Sequence, residues 1–416
     1  GFNVNYHSQK EIKDYLTTIK VNIDAETTYS KKASDVKPYQ AGTISESSQK
    51  SALNTMNAIR YIAGIDAVGL DSSYTKMEQA AALVNSVNGT LSHFPSKPAG
   101  MADSLYQLGA SGASSGNLSY ASWKCGLGYH LVKAWMNDGD DYNIDRVGHR
   151  RWILNPPMEK TGFGWVYGSH GTYAAMYAFD NWYEPTDYYG VAWPAQNMPV
   201  EFFGSSYPWS ISMGKDVDKS AVKVTLIRQS DQKKWAFSEK KADGYFNVEN
   251  SNYGQKGCII FRPDNLSYQP GDTFEVKITG LDQKVSYTVK FFSVNSSAES
   301  DEKQKESKIT AKNITKTFST TTFSINAKTN GKGKMTYNVA VEKFAAVSKK
   351  CVVTLKNYGE TKIKIRVAAS GNYKAAEKTI TLTVKPVKAK TGSLKSTAKG
   401  SFALKWKQDK KATGYI

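Results

Sequence analysis

Cysteine is nearly missing from this chain: three residues in 416, Cys125, Cys258 and Cys351, standing far apart. So sparse and odd a set excludes a complete disulfide framework, so packing must hold the fold and each thiol is expected to sit buried as a small hydrophobe. Histidine is scarce too, five in all, which makes any pairing of histidines informative. No stretch approaches the roughly 18 consecutive apolar residues of a membrane-spanning helix, so no transmembrane segment is expected. The chain opens on Gly1 and not Met, which fits a removed signal peptide or an expression boundary.

What is present suffices for ordinary cores, with 40% hydrophobic and 12% aromatic residues. At about 150 residues per domain the length predicts more than one domain. The net charge of +18 looks like a nucleic-acid signal until it is mapped. Residues 300–416 hold 26 Lys+Arg against 7 Asp+Glu, a balance of +19, and the preceding residues balance at −1. The lysines fall singly along strand-like sequence instead of clustering on a helix. That pattern predicts a soluble stalk with affinity for an anionic cell-wall polymer, and no nucleic-acid partner. The plain alternative is that they serve solubility and guard strand edges.

Along the chain, Ser8 and Glu11 fit a capping box, with Ile12, Tyr15, Leu16 and Ile19 at helical spacing behind it. Residues 1–45 read as an N-terminal extension, either laid against the next domain or a flexible leader. A helix follows over 48–63, ended by Gly64. Another starts near Thr75, where Thr75 and Glu78 suggest a second capping box, and Gly89 closes it. The segment GASGASSGN at 109–117 reads as a mobile loop, and 120–138 as a helix with Leu127, Leu131, Ala134 and Asp138 on one face. GFGWVYG and TYAAMYAFD, joined by SHG, then read as a hairpin with Phe163, Trp165 and Tyr167 on one face. Helices followed by paired strands indicate an α+β layer arrangement. Residues 194–296 alternate as short strands between Gly, Asp and Pro turns, an all-β sandwich. Residues 297–307 read as a linker, and 308–386 as a further set of short strands.

Four segments stand in a particular order: LSHFP with His93, SSGNLSY with Asn117, WMND with Asp138, and VGHRRWILNP at 147–156 with His149. Together they resemble the CAP family of cysteine-rich secretory proteins, venom antigens and bacterial SCP-like extracellular proteins, over about residues 46–193. The likeness is strongest to the bacterial branch, whose pattern also carries His-Arg-Arg-Trp followed by Asn-Pro. It implies a three-layer α-β-α sandwich at 46–193, an adjoining β-sandwich at 194–296, and an extracellular or Gram-positive cell-surface location. The strands of 308–386 resemble a bacterial Ig-like repeat, and 387–416 a linker leading into the opening of a fibronectin type III domain, so that the chain is expected to be part of a longer protein.

The family's cavity is lined by two histidines and two acids. Carried over, the histidines fall on His93 and His149, and one acid on Asp138, a methylene shorter than the usual Glu. The other acid falls on Gly116, a departure that weakens the set. His93, Asp138 and His149 could hold a divalent metal such as zinc with an open position. The alternative is that the two histidines bond each other or the backbone. Catalysis by a nucleophile has little support: Ser92, Ser115 and Ser119 lie near these segments without a G-x-S-x-G elbow, and Cys125 reads as mid-helix core. A metal-dependent hydrolase remains the catalytic alternative. The run NWYEPTDYYGVAW cannot bury all its rings, so Trp182, Tyr183, Tyr188 and Tyr189, with Asn117, are candidates for holding a glycan or a small apolar or lipid ligand. The reading is a secreted or surface-attached protein with a binding role, alternatively a glycan- or lipid-binding adhesin.

Overall fold

Alternation along 163–177 does produce a hairpin. In the computed structural model, which describes residues 2–295, 305–348, 351–368, 373–388 and 391–407, strand β2 (Phe163–Gly168) pairs antiparallel with β3 (Gly171–Tyr177). Strand β1 (Gly116–Ala121) adds to the other side of β3, giving the order β1-β3-β2 and leaving β1 at an edge. Because side chains alternate across a sheet, Leu118, Val166 and Ala175 go to one face, where they meet Ala81, Leu83 and Val84 of a helix. Phe163, Trp165, Ala174 and Met176 go to the other, into a core shared with Met56, Ile59, Leu131 and Trp135. The result is three layers, α-β-α, within an α+β chain.

The helices are α1 (Gln9–Thr18), α2 (Glu46–Ala63), α3 (Ser72–Asn88), α4 (Asp103–Ser115), α5 (Leu127–Tyr129) and α6 (Gly148–Ile153). The capping box of α1 forms between Ser8 and Glu11, and Gly64 ends α2 in a left-handed conformation at φ +77°. Three expectations fail for physical reasons. First, α3 is capped by Asp71, which accepts from the Ser73 and Tyr74 amides, so Glu78 lies a turn deeper in the helix and is fully buried. Second, the Gly/Ser run is not a mobile loop: residues 109–115 are the second half of α4, and Gly116 and Asn117 open β1. A Cβ on Gly109 would lie 2.7 Å from the Ala80 carbonyl oxygen, and one on Gly112 2.6 Å from that of Met77, so the small residues serve close helix crossing. Third, the helix expected at 120–138 begins only at Leu127, because 116–121 pairs with β3, and it continues as a π-helical turn, His130–Trp135.

Beyond β3 the chain builds two antiparallel sheets. One has the order β9-β10-β6-β4 and the other β8-β7-β11-β12-β5. The strands are β4 (Val191–Trp193), β5 (Asn197–Pro199), β6 (Trp209–Ser212), β7 (Lys223–Arg228), β8 (Lys234–Ser238), β9 (Gly244–Glu249), β10 (Cys258–Pro263), β11 (Thr273–Thr279) and β12 (Val285–Phe292). A single parallel pairing, β5 on β12, closes the second sheet. Trp209, Phe261, Phe274 and Phe291 fill the space between the sheets, and the same apolar cluster runs without a break into α2 and α5. Residues 1–300 are accordingly one compact unit. The N-terminal segment belongs to it, with Ile12 and Leu16 buried in that cluster.

Residues 301–416 form the second unit. A four-stranded sheet (Ile314–Thr317, Ala376–Lys385, Gly359–Val367, Met335–Val339) and a three-stranded one (Phe323–Ser324, Val352–Leu355, Ala345–Val347) enclose Val353, Ile363, Ile365, Ile380 and Leu382. A hairpin of Thr391–Ala398 and Ser401–Trp406 follows. Residues 297–304 of the expected linker and 408–416 of the expected last segment lie outside the described residues. The cysteines depart from expectation: Cys258 is buried, but Cys125 and Cys351 are only half-buried, and Cys125 precedes its helix instead of sitting within it.

Candidate functional site

The stretch 147–156 is built as a set of backbone ties. Val147 at φ +42° turns the chain into α6, and the side chains of His149, Arg150 and Arg151 go to different neighbours. His149, with 19% of its side chain exposed, places Nδ1 2.7 Å from Asp138 Oδ1, while Asp138 Oδ2 accepts from the Arg150 amide at 3.0 Å. Both carboxylate oxygens of Asp138 are therefore engaged, and its role is to orient His149. Asn117 on β1 donates to the His149 carbonyl oxygen at 2.9 Å. His93, in the α3–α4 connection, lies at the surface with Nδ1 2.7 Å from the Ala113 carbonyl oxygen. Asn117 and Asp138 are thus tied directly to His149, and His93, held on α4, lies within electrostatic reach of it.

Electrostatics separates the two imidazoles. Crowding around the His93 ring, although its edge is open to solvent, lowers its pKa, and the charge of His149 pushes the same way. Burial would lower His149 as well, but the charge and hydrogen bond of Asp138, with Asp140 behind, outweigh it and raise the value above 6.5. Each histidine commits Nδ1 to a fixed acceptor, which leaves Nε2 as the lone-pair nitrogen. That is the outer-shell arrangement metal-binding histidines use. Among the described residues no three His, Cys, Asp or Glu side chains gather closely enough to form a metal cage.

The arginines beside His149 do something else. Arg150 donates to the carbonyl oxygens of Met136, Asn137 and Pro208 and to Ser210 Oγ at 2.6–2.9 Å. Arg151 donates to the Ser251 and Gln255 carbonyl oxygens and stacks over Tyr253. Both reach out of the helical layers into the sandwich. Arg60 of α2 binds the carbonyl oxygens of Ile153 and Asn155, each at 2.9 Å, holding the turn that follows α6. Burial pulls Arg60 and Arg150 down to about 10, so both stay charged at neutral pH, solvated by carbonyl dipoles in place of water.

The aromatic candidates divide. Trp182 and Tyr183 remain 39% and 69% exposed, next to a cluster of Trp152, Phe179 and Tyr253. Tyr188 and Tyr189 are half-buried and packed against the core, and Tyr188 Oη bonds Asp66 at 3.2 Å. Tyr253 was not singled out from the sequence. Its ring would lie 3.2 Å from a Cβ on Gly148, so the sandwich contributes one wall beside His149. Glu78 was also missed. Its Oε2 lies 2.6 Å from where a Cβ on Gly116 would be, both carboxyl oxygens lack a hydrogen-bond partner, and burial raises its pKa far above 4.5. An acid among Met77, Ala80 and Ala81 was the available signal.

Comparison with known proteins follows this geometry. Residues 53–191 match the model of CAP, the cysteine-rich secretory protein family. A search of curated proteins finds no match. Among solved structures, the S-layer protein rSbsC(31-844) is similar at 14% identity over 45% of this chain and 40% of that one, with a TM-score of 0.17. Endo-fucoidan hydrolase MfFcnA4 from glycoside hydrolase family 107 gives 11% identity, 39% and 24% coverage, and a TM-score of 0.17. The human protocadherin-24 EC1-2 structure gives 8%, 38% and 98%, with 0.15. The chain thus spans well under half of the first two, and at such scores none bears on fold or function. No helix among the described residues is long and apolar enough to cross a membrane. Residues 53–191 are thus similar to the CAP family, and a predominantly β region follows them.

Proposed function

We propose that this is a secreted or surface-attached CAP-domain protein that binds, and does not turn over, its ligand, with His93 and His149 as paired nitrogen ligands for a divalent metal such as zinc. The observation that carries it is the fixing of both Nδ1 atoms, on Ala113 and Asp138, which presents both Nε2 atoms. Asp138 tunes His149 from behind. Trp182, Tyr183 and Tyr253 offer exposed rings around Trp152 for an apolar or glycan ligand.

Titration with zinc by calorimetry tests this. Wild-type protein should bind weakly, with affinity rising with pH as His149 loses its proton, since its raised pKa makes the proton a competitor. His93→Ala and His149→Ala should each remove measurable binding, and Asp138→Asn should weaken it by about 10–100-fold. Zinc affinity unchanged by both alanine variants would end the metal reading. Zinc-dependent hydrolysis of casein or a simple ester, lost in His149→Ala, would instead establish the hydrolase.

The basic second unit supports a subsidiary role in adhesion to an anionic wall polymer. On Gly359–Val367 the inward positions are Thr361, Ile363, Ile365 and Val367, and the outward ones carry Lys362, Lys364 and Arg366. Dispersed charge of this kind acts through long-range attraction. Pelleting of residues 308–416 with purified cell walls should therefore exceed that of 1–296 and collapse in salt, as the screening length falls from about 10 Å at 0.1 M to about 3 Å at 1 M. Equal pelleting of the two fragments would leave the second unit as a spacer.

A further inference from the structure

A cavity of about 380 Å³ lies between the N-terminal segment 23–27 and the loop 123–126 that follows β1. Neither the histidine pair nor the Trp152 cluster contributes to its lining. That volume falls within the ordinary range for small-molecule pockets. One wall is fixed by close backbone approach. A Cβ on Gly126 would lie 2.2 Å from the Ala25 carbonyl oxygen, and one on Gly128 the same distance from that of Ile23. Glycine at both positions lets the N-terminal segment lie this near, and Thr27 Oγ1 accepts from the Leu127 amide at 2.9 Å.

Three aromatic residues line this space. Trp123 stays 52% exposed and meets Tyr129 at 74°, with ring centroids 5.4 Å apart, so the two form a corner. Trp165, buried, closes the floor. The polar groups around the rings are largely spent within the protein. Trp165 Nε1 donates to the Cys125 carbonyl oxygen at 2.8 Å, Cys125 Sγ lies 3.3 Å from His130 Nε2, and Lys124 pairs with Glu26. That leaves Asp24 as a wall carboxylate with no ion pair among the described residues.

Such a lining suits a ligand that asks for no hydrogen bonds and carries positive charge. A hydroxyl-rich ligand would have to break these internal bonds or leave its own groups unpaired. A bare ammonium or metal ion would lose hydration that aromatic rings do not replace. A methylated ammonium is weakly hydrated, has few or no N–H groups to satisfy, and is drawn to ring faces. We propose that this cavity is a binding site for small quaternary ammonium cations, held by Trp123 and Tyr129 with Asp24 balancing the charge. Trp165 and Ile23 supply apolar surface for the methyl groups.

The test uses the full chain and choline, with 3,3-dimethyl-1-butanol as a neutral probe of the same shape. Indole N–H signals are followed by proton–nitrogen NMR, that of Trp123 being identified by its loss in Trp123→Phe. Choline should shift the Trp123 signal to saturation, and the neutral probe should need roughly tenfold more to do so. Sodium chloride at equal concentration should leave the signal in place. Asp24→Asn should weaken choline by about two- to fivefold and leave the neutral probe unchanged. Trp123→Ala should remove saturation transfer from the protein to the choline methyl protons, and Trp182→Ala should not. Equal affinity for the two probes would overturn the proposal, because a plain apolar pocket does not distinguish charge. So would a Trp123 signal that a large excess of choline does not move, or saturation transfer that survives in Trp123→Ala.

Discussion

Replacing Arg150 with alanine should destabilise the 1–300 unit by about 3–5 kcal/mol, because a fully buried guanidinium leaves its acceptors stranded on removal. It bonds three carbonyl oxygens and Ser210 Oγ, two of these partners in the helical layers and two in the sandwich. The loss falls on both sides of one seam. In thermal unfolding the transition of this unit should drop by roughly 5–10 °C. The transition of the second unit serves as an internal reference and should not move. Arg150→Lys should recover only part of the loss, since a single ammonium cannot span four acceptors that a planar fork reaches. A change below about 1 kcal/mol for the alanine variant would mean that the apolar core alone joins the layers to the sandwich.

Glu78→Gln should make the same unit less sensitive to a rise in pH above about 4.5. Burial without any hydrogen-bond partner raises the Glu78 pKa far above its ordinary 4.5, so the folded chain keeps a proton there that the unfolded chain releases. Stability from this group is complete below pH 4.5 and is lost as pH rises toward the folded value, at about 1.4 kcal/mol per pH unit. Tyr177, which feels the charge of Glu78, is itself raised by burial and neutral over that range. Denaturant unfolding at pH 5 and pH 7 should show the glutamine variant gaining on wild type as the pH rises. Parallel stability curves would show instead that water or a shifted partner satisfies the carboxylate. Filling Gly116 should be costly at any pH, because a side chain there would meet Glu78 and the Met176 carbonyl oxygen at 2.6 and 2.9 Å.

Local order was legible in the sequence. Alternation at 163–177 gave the hairpin, Ser8 and Glu11 the first cap, and Gly64 the end of α2. The order of His93, Asn117, Asp138 and His149 pointed to a family that the match over residues 53–191 supports. These features depend on neighbours a few positions away, or on a string of motifs, and both are written along the chain. The errors share an origin. GASGASSGN has a loop's composition, yet its glycines serve a helix crossing against α3. Glu78 has a cap's spacing, yet Asp71 caps first.

The partners of buried polar groups were decided by tertiary structure alone. Arg150 and Ser210 are 60 positions apart, and Arg151 and Gln255 are 104. No periodicity couples such distances. A buried guanidinium must find acceptors wherever the fold provides carbonyl oxygens. Sequence also placed Cys125 in a helix core, whereas the pairing of 116–121 with β3 pulled it into a loop beside His130 and a cavity. Residue types and their order determined the layers and the family likeness. Which acid answers which base was fixed only when distant backbone segments met and excluded water from between them.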